Sequence, residues 1–124
     1  MIKLISCRKD AAKAMEFYPE EWGDFPCVSD NYIILGSWSE GDLVGCFPVN
    51  FIDGEAEIHV AFHPDYRGAN AVDEAHKAFD WIFGNTGCNR IFAKIEDAHV
   101  AKYAERCGMV KSGNEYEVLR WADL

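Results

Sequence analysis

The sequence has no long apolar run and no basic tract, and each absence removes a class of partner. No stretch approaches the roughly 18 consecutive apolar residues of a membrane-spanning helix, and MIKLISCRKD has too short an apolar patch for a signal peptide. Lysine and arginine total 12 against 21 acidic residues, giving a net charge of −9. Because such a chain repels nucleic acid, we expect neither membrane nor nucleic-acid binding.

The cysteines lack the spacing of a metal site or a redox pair. There is no Cys-x-x-Cys, and histidines and cysteines do not cluster at zinc-ligand intervals. Five cysteines at scattered positions are typical of reduced thiols. We therefore expect a cytoplasmic protein without a bound metal.

Length and composition predict one globular domain over residues 1–124. Apolar residues make up 49% of the chain and charged residues 27%, close to the average for soluble domains. No internal repeat or low-complexity linker divides the sequence. A chain of 124 residues is also long enough to build a core without disulfides.

The first half of the chain predicts a strand, a helix and then a β-meander. We predict a strand over 1–6, a helix over 9–18 and an irregular segment over 19–31, which contains two prolines. Three apolar segments follow, separated by the turn sequences SEGD and DG, at 32–38, 43–51 and 55–63.

The second half alternates helices and strands. Apolar spacing predicts a helix over 71–83, ended by Gly84 and Asn85. A strand over 89–96 precedes a helix over 97–108, and a last strand covers 115–121. The order β-α-βββ-α-β-α-β predicts an α/β (α+β) fold with a partly parallel, partly antiparallel sheet.

The stretch HPDYRGANA lies where the predicted fourth strand gives way to a helix that starts near Asn70. The first turn of a helix offers unpaired N–H groups and the positive end of its dipole. Arg67 adds a permanently charged guanidinium, and Gly68 allows close approach to the backbone. This corner is therefore a candidate anion site.

A chain of this element order with HPDYRGANA after the fourth strand resembles the GNAT superfamily of acyl-CoA-dependent N-acetyltransferases. The resemblance covers most of the chain and includes NRIFAKIEDAHVAKYAERCGM, which is similar to that family's fifth strand and following helix. It implies that the fourth and fifth strands splay apart and that the pantetheine arm of acetyl-CoA lies between them.

The phosphate loop departs from the family pattern R/QxxGxG/A. Arg67 fills the first place, but Asn70 and Val72 fill the two glycine places. Valine does not tolerate the positive φ open to glycine, so the departure weakens the predicted phosphate site. An eroded loop of this kind resembles small GNAT-like proteins of bacteriophages.

The resemblance implies that acetyl-CoA is the cofactor. It also implies that residues before and after the start of the helix near Asn70 bind it. Asp97 stands where the family commonly has asparagine. The implied cofactor-binding residues are Phe62, His63, Arg67, Gly68, Ala69, Asn70, Ala71, Val72 and Asp97.

Candidate acid and base residues lie on the fourth strand and the last helix. Glu57, His59 and His63 alternate on one face of the strand, so Glu57 or His59 is the candidate general base. The family's general-acid tyrosine has its place at Ala104, and the adjacent Tyr103 is the nearby phenol.

Two functions from different classes follow. The first is a small N-acetyltransferase that moves acetyl from acetyl-CoA to an amine by direct attack. The second is a non-catalytic GNAT-fold interaction protein, such as a bacteriophage virion (head) assembly component. The partner is accordingly an amine substrate or a protein, and exposed sheet edges favour a homodimer.

Overall fold

The computed structural model describes residues 1–17, 31–67 and 69–120, which form one mixed sheet and three α-helices. The helices are α1 (Arg8–Met15), α2 (Ala69–Asn85) and α3 (Ala98–Arg106). The strands are β1 (Ile2–Leu4), β2 (Tyr32–Ser39), β3 (Asp42–Ile52), β4 (Glu55–Ile58), β5 (Ala61–Phe62), β6 (Arg90–Lys94), β7 (Val110–Ser112) and β8 (Glu115–Leu119). The predicted α/β fold and element order are confirmed, and β7 is an addition. The predicted irregular segment lies outside the described residues apart from Asn31.

The sheet consists of two antiparallel halves joined by one short parallel contact. Its strand order is β1-β2-β3-β4-β6-β8-β7, with β5 paired to β3 alone. β4 and β6 are parallel neighbours through only two residue pairs, Ala56 with Ile91 and Glu57 with Phe92. β4 and β6 are therefore joined at these two residue pairs and separate from each other beyond them.

The predicted strand over 55–63 is divided into two strands, which keep one common register with β3. β4 ends at Ile58 and β5 begins at Ala61, yet both pair with β3 without a register shift. The prediction of one continuous strand was wrong at His59 and Val60, which belong to neither.

Pro48 in β3 explains this interruption. The His59 N–H donates to the Pro48 carbonyl at 2.8 Å, but proline has no N–H with which to return the bond. An antiparallel pair needs both bonds at this position, so the ladder fails there and resumes at Ala61.

The helices cover opposite faces of the sheet. Neighbouring residues such as Ile34 and Leu35 point to opposite faces, and each joins a different hydrophobic cluster. α1 packs on the smaller cluster through Ala14, whereas α2 and α3 pack on the larger one. The fully buried side chains of the larger cluster include Leu35, Val49, Ala56, Ala78, Ile82 and Ile91.

The end of α2 differs from the prediction, because the helix continues through Gly84 and Asn85. Arg120 accounts for this extension. Its guanidinium donates to the carbonyl oxygens of Phe83 at 2.7 Å and Thr86 at 2.8 Å, which would otherwise lack partners. The helix end is therefore stabilised both by Arg120, beyond β8, and by local side chains such as Thr86, whose Oγ1 donates to the Ile82 carbonyl at 2.7 Å.

The predicted boundaries of α3 are confirmed. The Asp97 carboxylate accepts hydrogen bonds from the N–H groups of His99 at 2.8 Å and Val100 at 3.1 Å, which makes it the N-cap. Gly108 follows the helix with φ +89, the left-handed conformation typical of a glycine after a helix end.

The described part of the chain contains four unpaired cysteines and no candidate membrane-spanning helix. Cys7, Cys46, Cys88 and Cys107 are free thiols, and Cys27 lies outside the described residues. None of the described helices is both long and apolar enough to cross a bilayer.

Candidate functional site

A cleft opens where β4 and β6 stop pairing. Its volume is about 530 Å³, and it lies between the interruption after β4 and the segment that continues β6. His59 and Val60 form one wall, Ile95 and Asp97 form the other, and Tyr103 of α3 also lines it. The divergence predicted for these two strands is therefore present as an open cleft.

A second cavity of about 480 Å³ adjoins the cleft at the start of α2. Val60, Val100 and Tyr103 line both spaces, which are therefore adjacent, and we call the two together the groove. The other lining residues of this second cavity are Phe17, Ala61, Phe62, Arg67, Ala71, His99, Lys102 and Arg106. We call this second space the cationic cavity.

Val60 presents free backbone groups to the groove. Because the His59 N–H bonds to β3, strand alternation turns the N–H and C=O of the next residue away from β3. Among the described residues, no hydrogen-bond partner is found for either group of Val60. An extended ligand in the cleft can therefore bond to the chain here as an extra strand would.

The backbone at the start of α2 does not need glycine at positions 70 and 72, where the chain departs from the family pattern. Among the described residues outside glycine, only Glu40 and Asp53 have positive φ, so Asn70 and Val72 do not. The Val72 side chain packs against the larger hydrophobic cluster, and Asn70 lines a different cavity. Neither side chain lines the groove.

The amide groups in this first helical turn have no competing partner in the described part of the chain. Among the described residues, no turn or side-chain hydrogen bond engages the N–H of Asn70 or Ala71. Gly68 is outside the described residues, and it has no side chain that could cap the helix. The Arg67 side chain is exposed, and its guanidinium donates a long hydrogen bond, 3.4 Å, to the Phe62 carbonyl.

The structure brings Glu57 and His59 together. The Glu57 Oε1 and His59 Nε2 atoms are 3.8 Å apart, with side chains 15% and 38% exposed. His59 lines the cleft, whereas Glu57 does not. His59 is therefore the member of this pair that borders the cleft, and its imidazole can exchange a proton with solvent or with the nearby carboxylate.

Tyr103 reaches the groove, but its hydroxyl already has a partner. It donates to the carbonyl of Ala71 at 2.7 Å, which joins α3 to the first turn of α2. Burial and the nearby Cys107 raise the pKa of the phenol. Burial also raises the pKa of the Cys107 thiol to about 11, so this thiol stays protonated.

His63 and Asp97 each have a structural role in the fold. His63 Nδ1 accepts from the Asp65 N–H at 3.1 Å and so caps the short 3-10 turn Pro64–Tyr66. Asp97 caps α3 while also lining the cleft. No group of three or more His, Cys, Asp or Glu side chains in the described ranges is arranged to hold a metal ion.

A polar cluster around Glu74 lies outside the groove, in a cavity of about 240 Å³. The Glu74 carboxylate, 12% exposed, accepts from Ser37 Oγ at 2.6 Å and Lys77 Nζ at 2.9 Å. Burial alone would raise the pKa of Glu74, but these hydrogen bonds and the Met1 ammonium lower it overall.

Glu74→Gln is expected to reduce the free energy of unfolding by about 1 kcal/mol at pH 7, because charge-assisted hydrogen bonds are lost. Since the folded-state pKa of Glu74 is lowered, the carboxylate stabilises the fold above its ordinary pKa. That contribution disappears as the pH falls through the lower folded value. Urea denaturation at pH 7 and pH 3 should show a smaller difference in acid. The exposed Glu16→Gln variant is the control, and an equal Glu74→Gln effect at both pH values contradicts the assignment.

A comparison with protein families identifies the class. The family model of the acetyltransferase (GNAT) family matches residues 2–109, so the chain belongs to that family. The predicted GNAT membership and N-acetyltransferase-like character are thereby confirmed. None of the curated proteins compared with the chain matches it.

Solved structures share the fold at low sequence identity. A mutant of the spermidine N-acetyltransferase SpeG from Vibrio cholerae has a TM-score of 0.79 and 13% identity, covering 96% of this chain and 94% of its own. A dodecameric structure of spermidine N-acetyltransferase from the same organism has a TM-score of 0.76 and 13% identity, covering 100% and 95%. The aminoglycoside acetyltransferase AAC(6')-Ib in complex with coenzyme A has a TM-score of 0.75 and 11% identity, covering 98% and 95%.

Proposed function

We propose that this chain is an N-acetyltransferase that transfers acetyl from acetyl-CoA to an amine by direct attack. The observation that carries the proposal is the separation of β4 from β6 after two residue pairs. The resulting cleft continues into a cavity lined by Arg67, Lys102 and Arg106. An uncharged arm attached to a polyanionic nucleotide fits this combination of a narrow apolar cleft and a basic cavity.

The chain offers distinct groups to each part of acetyl-CoA. Arg67 and the amides of residues 69–72 would hold the pyrophosphate at the start of α2. The free N–H and C=O of Val60 would bond to the amide-containing arm. Phe62, which is 5% exposed, supplies an apolar wall. Bound acetyl-CoA would supply an activated thioester carbonyl for the amine to attack.

Glu57 or His59 takes the proton from the acceptor ammonium, directly or through water. His59 lines the cleft and therefore stands nearer to the acceptor, and Glu57 stabilises its protonated form. Tyr103 is the candidate acid. It holds its proton in the bond to the Ala71 carbonyl and has a raised pKa, so it must exchange that bond before it can donate towards the cleft.

The acceptor we propose is a polycationic amine. The net charge of −9 attracts such molecules. The similar structures are those of a spermidine N-acetyltransferase and an aminoglycoside acetyltransferase, whose named substrates carry several amines.

Two measurements test this function. Calorimetric titration gives the affinity for acetyl-CoA, and release of free thiol in the presence of spermidine gives the turnover. Arg67→Ala is expected to weaken acetyl-CoA binding by about 10-fold or more, because a phosphate partner is lost. Glu57→Gln and His59→Ala are expected to lower turnover by about 100-fold without changing that affinity. Lys9→Ala removes the same charge as Arg67→Ala from an exposed position on α1 and should change neither quantity. Absence of binding at millimolar acetyl-CoA contradicts the proposal.

The non-catalytic alternative, such as a bacteriophage virion assembly component, stays a prediction. Its main ground was the loss of two glycines, and the helical backbone at Asn70 and Val72 removes the conformational part of that ground. A chain that binds no acetyl-CoA, or binds it and acetylates no amine, would favour this alternative. The cytoplasmic location and a homodimer also stay predictions.

A further inference from the structure

The cationic cavity has a charge opposite to that of the whole chain. Its described lining includes Arg67, Lys102 and Arg106, together with His99, and no acidic side chain. The chain as a whole carries a net charge of −9. A local excess of positive charge in such a protein favours an anion at this place.

Among the described residues, no carboxylate pairs with these cations. Several other basic groups have carboxylate partners, such as Lys77 with Glu74 at 2.9 Å and Arg90 with Glu55 at 2.7 Å. In the described part of the chain, no carboxylate lies within 4.0 Å of the charged nitrogens of Arg67, Lys102 or Arg106. Their charge is therefore available to a ligand.

The helix that carries Lys102 and Arg106 is anchored to the core and to α2. Lys102 and Arg106 are four residues apart and share one exposed face of the helix. Ala104 and Cys107 on the other side are buried in the core, and the Tyr103 bond to Ala71 ties this helix to α2. Like charges at this spacing destabilise a helix, and a bound anion between them removes that cost.

We infer that Lys102 and Arg106 bind the phosphate monoester of the nucleotide end of coenzyme A. With Arg67 on the α2 side, they add side-chain charge to the amide groups at the start of α2. The inference rests on the proposed function, because it assigns a subsite to the same ligand.

The test compares coenzyme A, dephospho-coenzyme A, adenosine 3',5'-bisphosphate and pantetheine by calorimetry. The double variant Lys102→Ala/Arg106→Ala is expected to weaken coenzyme A and the bisphosphate by about 10- to 100-fold, because two charged contacts to the monoester are lost. Dephospho-coenzyme A, which lacks that monoester, should lose much less affinity, and pantetheine should lose none. For wild type, the preference for coenzyme A over its dephospho form should fall as salt is raised.

The matched control is Arg8→Ala/Lys9→Ala, which also removes one arginine and one lysine from exposed positions of a helix. It should leave all four affinities unchanged, and circular dichroism should show both double variants folded. An equal loss for coenzyme A and dephospho-coenzyme A, or no loss for either, overturns the inference. If wild type binds the bisphosphate and loses it in the Lys102/Arg106 variant but binds no acetyl-CoA, the anion site stands and the acetyltransferase function fails. If wild type binds none of the four, both fail.

Discussion

Arg90→Met is expected to lower the free energy of unfolding by about 2 to 4 kcal/mol. This is somewhat less than the cost of breaking a fully buried ion pair, because the groups around Arg90 are partly exposed to solvent. Arg90 is 19% exposed and lies among three carboxylates. Its guanidinium donates to Glu55 at 2.7 Å, to Glu115 at 2.8 Å and to Glu117. Without it, three negative groups from β4 and β8 face each other with no cation.

Urea denaturation measures this loss, and two further variants show its cause. Arg8→Met removes an exposed arginine and should change stability by less than about 0.5 kcal/mol. Adding Glu115→Gln and Glu117→Gln to Arg90→Met should recover part of the loss, because the carboxylate repulsion is relieved. An Arg90→Met protein as stable as the Arg8→Met control contradicts the assignment. Since Arg90 joins β4, β6 and β8, it also secures the sheet next to the point where the cleft begins.

Val60→Trp is expected to weaken acetyl-CoA binding by about 100-fold or more, the equivalent of about 2.8 kcal/mol. Val60 lines both the cleft of about 530 Å³ and the cationic cavity. An indole at this position fills the passage between them, so the arm and the nucleotide cannot be bound at once. Because Val60 is only partly buried beside open space, the larger side chain should not unfold the protein.

Val110→Trp is the matched control for this substitution. Val110 is 67% exposed on β7 and lines neither space. Both variants should melt near the wild-type temperature, and only Val60→Trp should lose the stabilisation that acetyl-CoA gives. Equal binding by the two variants would show that acetyl-CoA does not pass this point.

Local signals in the sequence were sufficient for most elements. The turns SEGD and DG form tight hairpins in which Glu40, Gly41, Asp53 and Gly54 all have positive φ. Asp97 and Gly108 fix both ends of α3 as predicted. These features depend on neighbouring residues, which explains why the sequence alone indicates them.

Features that depend on distant contacts could not be predicted in the same way. The interruption at His59 arises because Pro48 of a neighbouring strand lies opposite it, and the register was not known beforehand. Likewise, Arg120 extends α2 from the far end of the chain. The site was only partly predicted, because Lys102 and Arg106 join Arg67 through the packing of α3 beside α2. Their spacing on one helix face was the one signal available.

Backbone amide NMR during titration with coenzyme A tests most directly whether the groove between β4 and β6 is the acyl-CoA site. The largest shift changes should fall on Val60, Ala71 and Val100, which line the groove. Changes that cluster instead around Ser37 and Lys77, in the separate cavity, would contradict the proposed site, as would the absence of any change.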